Sequence, residues 1–239
     1  MHKGTLKSPQ KASQSSWNGA AARLRKLPPV PRRFYDRDPK LVAPQLLGKV
    51  LVRRQGRKLL AGRIVEAEAY LGQDDPASHA FRGPTDRNRV MFGPPGFAYV
   101  YFTYGMHYCA NVTCLGDGIA GAVLIRALEP LAGIEEMAMN RDLNLSLETE
   151  HVRVLRALTS GPARLCEALD ITRTRDDGKD LTSPKSDLWI ASDRRPIDAI
   201  ASGPRVGITQ AADWPLRFYI TGNPFVSGPK AATVRRKIG

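Results

Sequence analysis

The chain has 239 residues, 42% of them hydrophobic and 25% charged, enough for a full hydrophobic core in one large domain or two small ones. No apolar run approaches the ~18 residues of a membrane span, so neither a membrane protein nor a chain disordered throughout fits this composition. The net charge of +13 is placed at the ends: residues 1–33 hold eight basic residues and no acid, residues 225–239 hold four and no acid, and the body between is nearly neutral at 24 basic against 23 acidic.

Residues 1–33 read as a basic disordered tail that ends in Leu27-Pro28-Pro29-Val30-Pro31, a stiff extended linker, with folding expected from Phe34. Asp38-Pro39 is the signature of an N-cap followed by proline at the first helical position, and Gly48 fits the stop of a helix over 39–47. Lys49–Arg54 and Ala61–Tyr70 read as strands of a hairpin around Gln55-Gly56. Residues 72–96, rich in Gly, Pro, Asp and Arg, are too long for an ordinary connection and have the character of a functional loop. Phe97–Thr103 and His107–Cys114 are expected as strands around Tyr104-Gly105-Met106, a protruding hairpin, and Ala122–Ala127 as another strand. A helix is expected after Pro130 through Ile134–Met139, a second from about residue 148, and a third opened by Ser160-Gly161-Pro162 with Ser160 as its cap. Leu188–Ala191, Arg205–Ile208 and Leu216–Ile220 read as late strands, and residues 227–239 as a basic C-terminal tail. Strands joined by hairpins rather than by helical crossovers predict one α+β domain over 34–226, a curved antiparallel sheet with packed helices.

The basic ends point to a polyanionic partner, with nucleic acid ahead of an anionic membrane because the tail lacks an apolar face that would insert; a solvated charge run kept for solubility is the alternative. Cys109, Cys114 and Cys166 are odd in number and form no CxxC pair, which argues for a reducing, intracellular setting and against zinc. The N-terminus has no continuous apolar stretch of the kind a secretory signal needs.

In Arg63–Tyr70 the period of two puts Glu66, Glu68 and Tyr70 on one strand face and Val65, Ala67 and Ala69 on the other. Two carboxylates on one face fit an exposed face paired to arginines, an acid and base pair, or oxygen ligands of a hard cation joined by Asp74 and His79, and spacing does not choose among them. Tyr99 and Tyr101 face one way along the next hairpin, where core burial is the common outcome, while Tyr104 at a tip beside Gly105 is harder to bury. Arg82, Arg87 and Arg89 lie in the loop just before, and aromatics interleaved with arginine suit bases and phosphates together.

Ten blocks then stand in order: Glu66-Ala67-Glu68-Ala69-Tyr70, Ala77-Ser78-His79-Ala80, Thr85-Asp86-Arg87-Asn88-Arg89, Met91-Phe92-Gly93, Tyr99-Val100-Tyr101, Tyr104-Gly105-Met106-His107, Arg126-Ala127-Leu128-Glu129-Pro130, Ser160-Gly161-Pro162, Arg205-Val206-Gly207 and Leu216-Arg217-Phe218-Tyr219. Over roughly residues 34–226 this pattern resembles the alkyladenine (3-methyladenine) DNA glycosylase family. The resemblance implies a monofunctional enzyme of base-excision repair, without cofactor or metal, acting as a monomer on double-stranded DNA that contains damaged purines. It implies Glu68 as general base, with Arg126 and the main-chain carbonyl of Val206 holding the attacking water. Tyr70, His79 and Tyr101 would stack on the flipped base, Asn111 would crowd the 2-amino group of guanine, and Tyr104 would fill the gap left in the duplex. Glu66 has no role in the pattern. Two other classes compete: a non-catalytic RNA- or DNA-binding module, since the family's fold is similar to a tRNA-binding domain of formyltransferase type, and a metal-dependent hydrolase built on Glu66, Glu68, Asp74 and His79. A lyase mechanism would need an amine, and no lysine occurs between Lys58 and Lys179.

Overall fold

A computed structural model describes residues 14–103, 105–144 and 152–228, with side chains from residue 19 onward. Among them, one sheet of eight strands is combined with six α-helices, an α+β architecture with antiparallel pairing throughout. Its axis is β2 (Lys58–Tyr70), which turns back on β1 (Val50–Gln55) and pairs along its other edge with β5 (Ala122–Ala132). Beyond β5 lie β4 (His107–Thr113) and β3 (Ala98–Thr103), and beyond β1 lies β6 (Leu188–Ala191). The β1 edge of β2 is occupied at Glu66–Glu68 by β8 (Arg217–Ile220), itself paired with β7 (Ile200–Gly203), so both carboxylate positions are interior to the sheet.

Two matched irregularities decide which way the carboxylates point. The β2–β5 register shifts between Ile64/Glu66 and Glu66/Ala67, so Val65 and Arg126 are passed over without direct partners. Ile64 and the adjacent Val65 both enter the main core, after which Ala67 and Ala69 continue on that side. Without the bulge, Leu60 and Ile64 would share a face with Glu66 and Glu68; with it, the carboxylates join the opposite face. The core face carries Ala98, Val100, Ala110, Val112, Val123 and Ile125. It is covered by α2 (Pro39–Leu46), α3 (Ile134–Asn140), α4 (Val152–Thr159) and α5 (Pro162–Ala168).

Helix α2 starts as its sequence predicts, with Asp38 accepting the Lys40 N–H at 2.8 Å ahead of Pro39. Four expectations change. The strand expected over Ala122–Ala127 is longer: β5 runs on through Pro130 to Ala132, across a register shift where a missing N–H is tolerated. Ser160 is not the cap of α5; it forms a backbone bridge to Ala127, and Gly161 stands at the N-cap. Arg205–Ile208 is not a strand, because Arg205 turns inward and the Val206 amide bonds a side chain rather than a neighbouring strand. The ordered body also begins well before Phe34: α1 (Gln14–Leu24) sets a fully buried Leu24 against Val50, Val52, Leu59, Ala61 and Trp189 on the carboxylate side of the sheet. The Pro-rich stretch is docked as well, Pro29 bridging Ala191 and the Val30 amide donating to the Ile190 carbonyl at 2.7 Å. Residues 145–151, where a helix from 148 would begin, and Tyr104 lie outside the described residues.

Candidate active site

Cross-strand partners Tyr99, Asn111, Leu124, Glu68 and Arg217 form one row across β3, β4, β5, β2 and β8. Directly opposed residues share a face, so this row presents its side chains together with the flanking pairs, Tyr101 with Cys109 on one side and Tyr70 with Ala122 on the other. All of these except Glu68 and Arg217 line a cavity of about 340 Å³, closed by His79 from the loop after β2, by Met91, and by Val206–Ile208 from the loop after β7.

Glu68 is fully buried beside this cavity. Its Oε1 accepts the Val206 amide at 2.8 Å and lies 3.3 Å from Arg126 Nη1, while its Oε2 accepts the Tyr70 hydroxyl at 3.0 Å. Burial pushes the Glu68 carboxyl above its ordinary value and Glu66 adds to the rise, against the opposing pull of Arg126, the Val206 amide and the Tyr70 hydroxyl. Burial works against charge on Arg126, but Glu68 and Glu66 outweigh it and hold the guanidinium above its ordinary value. A carboxylate with raised proton affinity next to a fixed cation, buried beside a cavity, has the properties of a general base.

The walls are aromatic. His79 meets Tyr101 edge to face at 4.5 Å between centroids, and its Nδ1 lies 2.9 Å from the Tyr99 hydroxyl. Partial burial, with Arg87 nearby, holds His79 below its ordinary value, so the ring is neutral at pH 7. Burial pushes Tyr99 up to about 12 and raises Tyr70 and Tyr101 further, which keeps all three as phenols. Asn111 donates through Nδ2 to the Tyr99 carbonyl at 3.0 Å and so presents a fixed face to the cavity.

Of the three loop arginines, only Arg87 reaches the site, its guanidinium 5.8 Å from the Tyr101 ring centroid. Arg89 pairs with Asp86 at the surface and Arg82 is exposed. Glu66 and Glu68 face arginines as one reading had it, but they are buried by β8 and the flanking loops rather than exposed. The oxygen-ligand set does not assemble: Asp74 is exposed in the turn Gly72–Asp74, both glutamates are taken up by N–H and O–H donors, and no metal-ligating cluster of three His, Cys, Asp or Glu occurs among the described residues.

A family model described as methylpurine-DNA glycosylase (MPG) matches residues 33–224. The chain belongs to the methylpurine-DNA glycosylase family. Among its relatives, each named "Putative 3-methyladenine DNA glycosylase", one from Koribacter versatilis (strain Ellin345) is 58% identical over 87% of this chain and 97% of its own length. Others from Burkholderia lata and Carboxydothermus hydrogenoformans are 49% and 48% identical over 84% and 83% of this chain and 91% and 98% of theirs. As a member of this family the protein is a DNA-repair glycosylase, and among its described residues no helix is long and apolar enough to cross a membrane.

The candidate site also brings in residues to which the sequence alone assigned no role. Tyr99 orients His79. Arg205 and Asp75, both buried, form a two-pronged ion pair with Arg205 Nη2 2.8 Å from Asp75 Oδ1, and the Arg205 guanidinium lies 4.6 Å over the Tyr70 ring. The pair locks the loop that delivers His79 to the loop that delivers Val206. Arg217 and Ser227 reach Glu66 from 151 and 161 residues away. No local spacing announces contacts of that range, although Arg205 and Arg217 do stand inside two of the recognised blocks.

Proposed function

We propose that this glycosylase flips an alkylated or deaminated purine, 3-methyladenine among them, out of duplex DNA and hydrolyses its N-glycosidic bond with an activated water, leaving an abasic site. The observation that carries the reading is Glu68, buried, raised in proton affinity and held between Arg126, the Val206 amide and Tyr70 at an aromatic cavity. Glycosidic cleavage develops an oxocarbenium-like sugar, so one carboxylate that takes a proton from water and opposes that positive charge supplies the minimum chemistry. Arg126 and the Val206 carbonyl hold the water against Glu68. No cofactor is required.

Tyr70, His79 and Tyr101 stack on the extruded base, and Asn111 crowds the 2-amino group of an intact guanine. Extrusion costs a few kcal/mol of stacking and pairing, which Tyr104 offsets by filling the gap. Arg82, Arg87 and Arg89 and the basic ends meet phosphates, and one copy of the chain suffices. Alkylated purines leave as cations and need no acid, whereas hypoxanthine needs protonation or hydrogen bonding to leave and is excised more slowly. Among the described residues the cavity lining contains no lysine, and Lys58 and Lys179 are engaged with Glu136 and with Asp176 and Asp187, which supports a water mechanism over a Schiff base.

Duplexes carrying 3-methyladenine, hypoxanthine or ethenoadenine, incubated with enzyme and then alkali, test this. Strand breakage at the lesion only after alkali, with no adduct on borohydride reduction, is the expected result. No breakage at any lesion refutes the activity, and breakage before alkali with a trapped adduct refutes the water mechanism.

A further inference from the structure

Glu66 is fully buried, two residues before Glu68 on the same face, and the hydrolytic chemistry proposed above makes no use of it. Its carboxylate is nonetheless more heavily engaged than that of Glu68. Oε1 accepts from Arg217 Nε at 2.7 Å and from Arg126 Nε at 3.1 Å, and Oε2 accepts the Ser227 amide at 2.6 Å. The clamp closes on itself: Arg126 Nη2 donates to Ser227 Oγ at 3.4 Å and Arg217 Nη2 to the Ser227 carbonyl at 3.2 Å. Arg156 Nη2 holds the strap on either side of Ser227 through the carbonyls of Val226 at 2.9 Å and Gly228 at 2.7 Å. Ser227 lies past residue 224, where the family match ends.

The consequence falls on Arg126. Two of its three nitrogens are committed to Glu66 and Ser227, which leaves Nη1 alone toward Glu68 at 3.3 Å. A guanidinium beside a single buried carboxylate would otherwise close on it as a fork, with two parallel hydrogen bonds. That geometry would occupy the oxygens that must receive a proton from water. We propose that Glu66, backed by Arg217 and the Ser227 strap, is a positioning residue that holds Arg126 edge-on to Glu68 and keeps Glu68 available as a base.

The inference rests on the reading of Glu68 as the base. The charged and titratable groups around the two carboxylates are Arg126 from β5, Arg217 from β8, Tyr70 from β2 and Cys109 from β4, besides the Val206 and Ser227 amides. Glu66→Gln keeps the shape and an acceptor oxygen but removes a like charge from beside Glu68; Arg217→Gln removes a positive charge from behind Glu66.

Single-turnover excision from a hypoxanthine duplex, measured against pH for both variants with binding and melting temperature alongside, tests the proposal. Glu66→Gln should lower the plateau rate roughly 10- to 100-fold at unchanged lesion affinity and move the acid limb to lower pH. Arg217→Gln should move the acid limb to higher pH, and it carries the test alone if Glu66→Gln does not fold. Limbs that stay in place, or that move the same way in both variants, overturn the proposal, as does a rate loss that only follows the melting temperature. Glu68→Gln run in parallel separates the two claims: if it remains active the base assignment falls and the Glu66 inference with it, whereas an inactive Glu68→Gln with unmoved limbs removes the Glu66 inference alone.

Discussion

Burial raises the proton affinity of Glu68 above that of a free carboxyl, whose ordinary value is 4.5, and the sign of that shift has two consequences. The base works only when deprotonated, so excision of a cationic base climbs with pH through a midpoint above 4.5. In the same window the unfolded chain releases this proton more readily than the folded one, so the contribution of Glu68 to stability is full below the unfolded value and is lost as pH rises through the folded value. Glu68→Gln removes that loss while keeping an acceptor for the Val206 amide. Thermal melts should therefore show the variant at or above wild type at neutral pH, with the gap closing as pH falls toward 4.5; a variant that melts well below wild type at pH 7 would mean that the charge on Glu68 stabilises the fold. His79, shifted downward by burial and by Arg87, is neutral at pH 7.

The elements differ in how firmly they deliver their side chains. Gly72, in the short turn that leaves β2 toward Asp75 and His79, has φ +71°, and a Cβ built there would lie 2.0 Å from the Ala120 carbonyl oxygen. Gly105 at the hairpin tip has φ +69° with nothing within 4 Å. Gly72→Ala should cost at least ~2 kcal/mol, roughly 4–8 °C in melting temperature, and lower excision because the His79 loop shifts, whereas Gly105→Ala should cost about 1 kcal/mol of backbone strain. Equal losses in the two melts would show that the turn at Gly72 is softer than its geometry indicates. Much of the site was legible because period-two alternation is local: it put Glu66, Glu68 and Tyr70 on one face and Tyr99 with Tyr101, as found. The bulge at Ile64/Val65 was not, since alternation reads the same on either side of it until the core contacts of Leu60 and Ile64 are known. Arg205–Ile208 imitates a strand through its Val206 and Ile208 spacing, and only Asp75, 130 residues away, pulls Arg205 inward and turns the segment into a loop.

At the scale of the whole molecule, charge and packing separate within the N-terminal segment. Leu24, on the docked helix α1, is a packing residue: Leu24→Ala should cost ~2–5 kcal/mol in a denaturant melt and leave excision per folded molecule unchanged, and a cost under ~0.5 kcal/mol would mean that α1 is not docked in solution. Residues 1–13 carry Lys3, Lys7 and Lys11 and no acid. Their removal should weaken binding to any duplex, damaged or not, and flatten the dependence of log affinity on log salt by ~0.9 for each phosphate that is no longer neutralised, with melting unchanged. An unaltered slope would assign those lysines to something other than DNA.

The proposed function rests on one carboxylate, Glu68, that activates water beneath a flipped base. Single-turnover excision by Glu68→Gln on a hypoxanthine duplex, with binding of the same duplex measured in parallel, tests it most directly. The predicted result is affinity within a few-fold of wild type and an excision rate lower by ~10²–10⁴, the range a positioned base contributes; excision near the wild-type rate would contradict it.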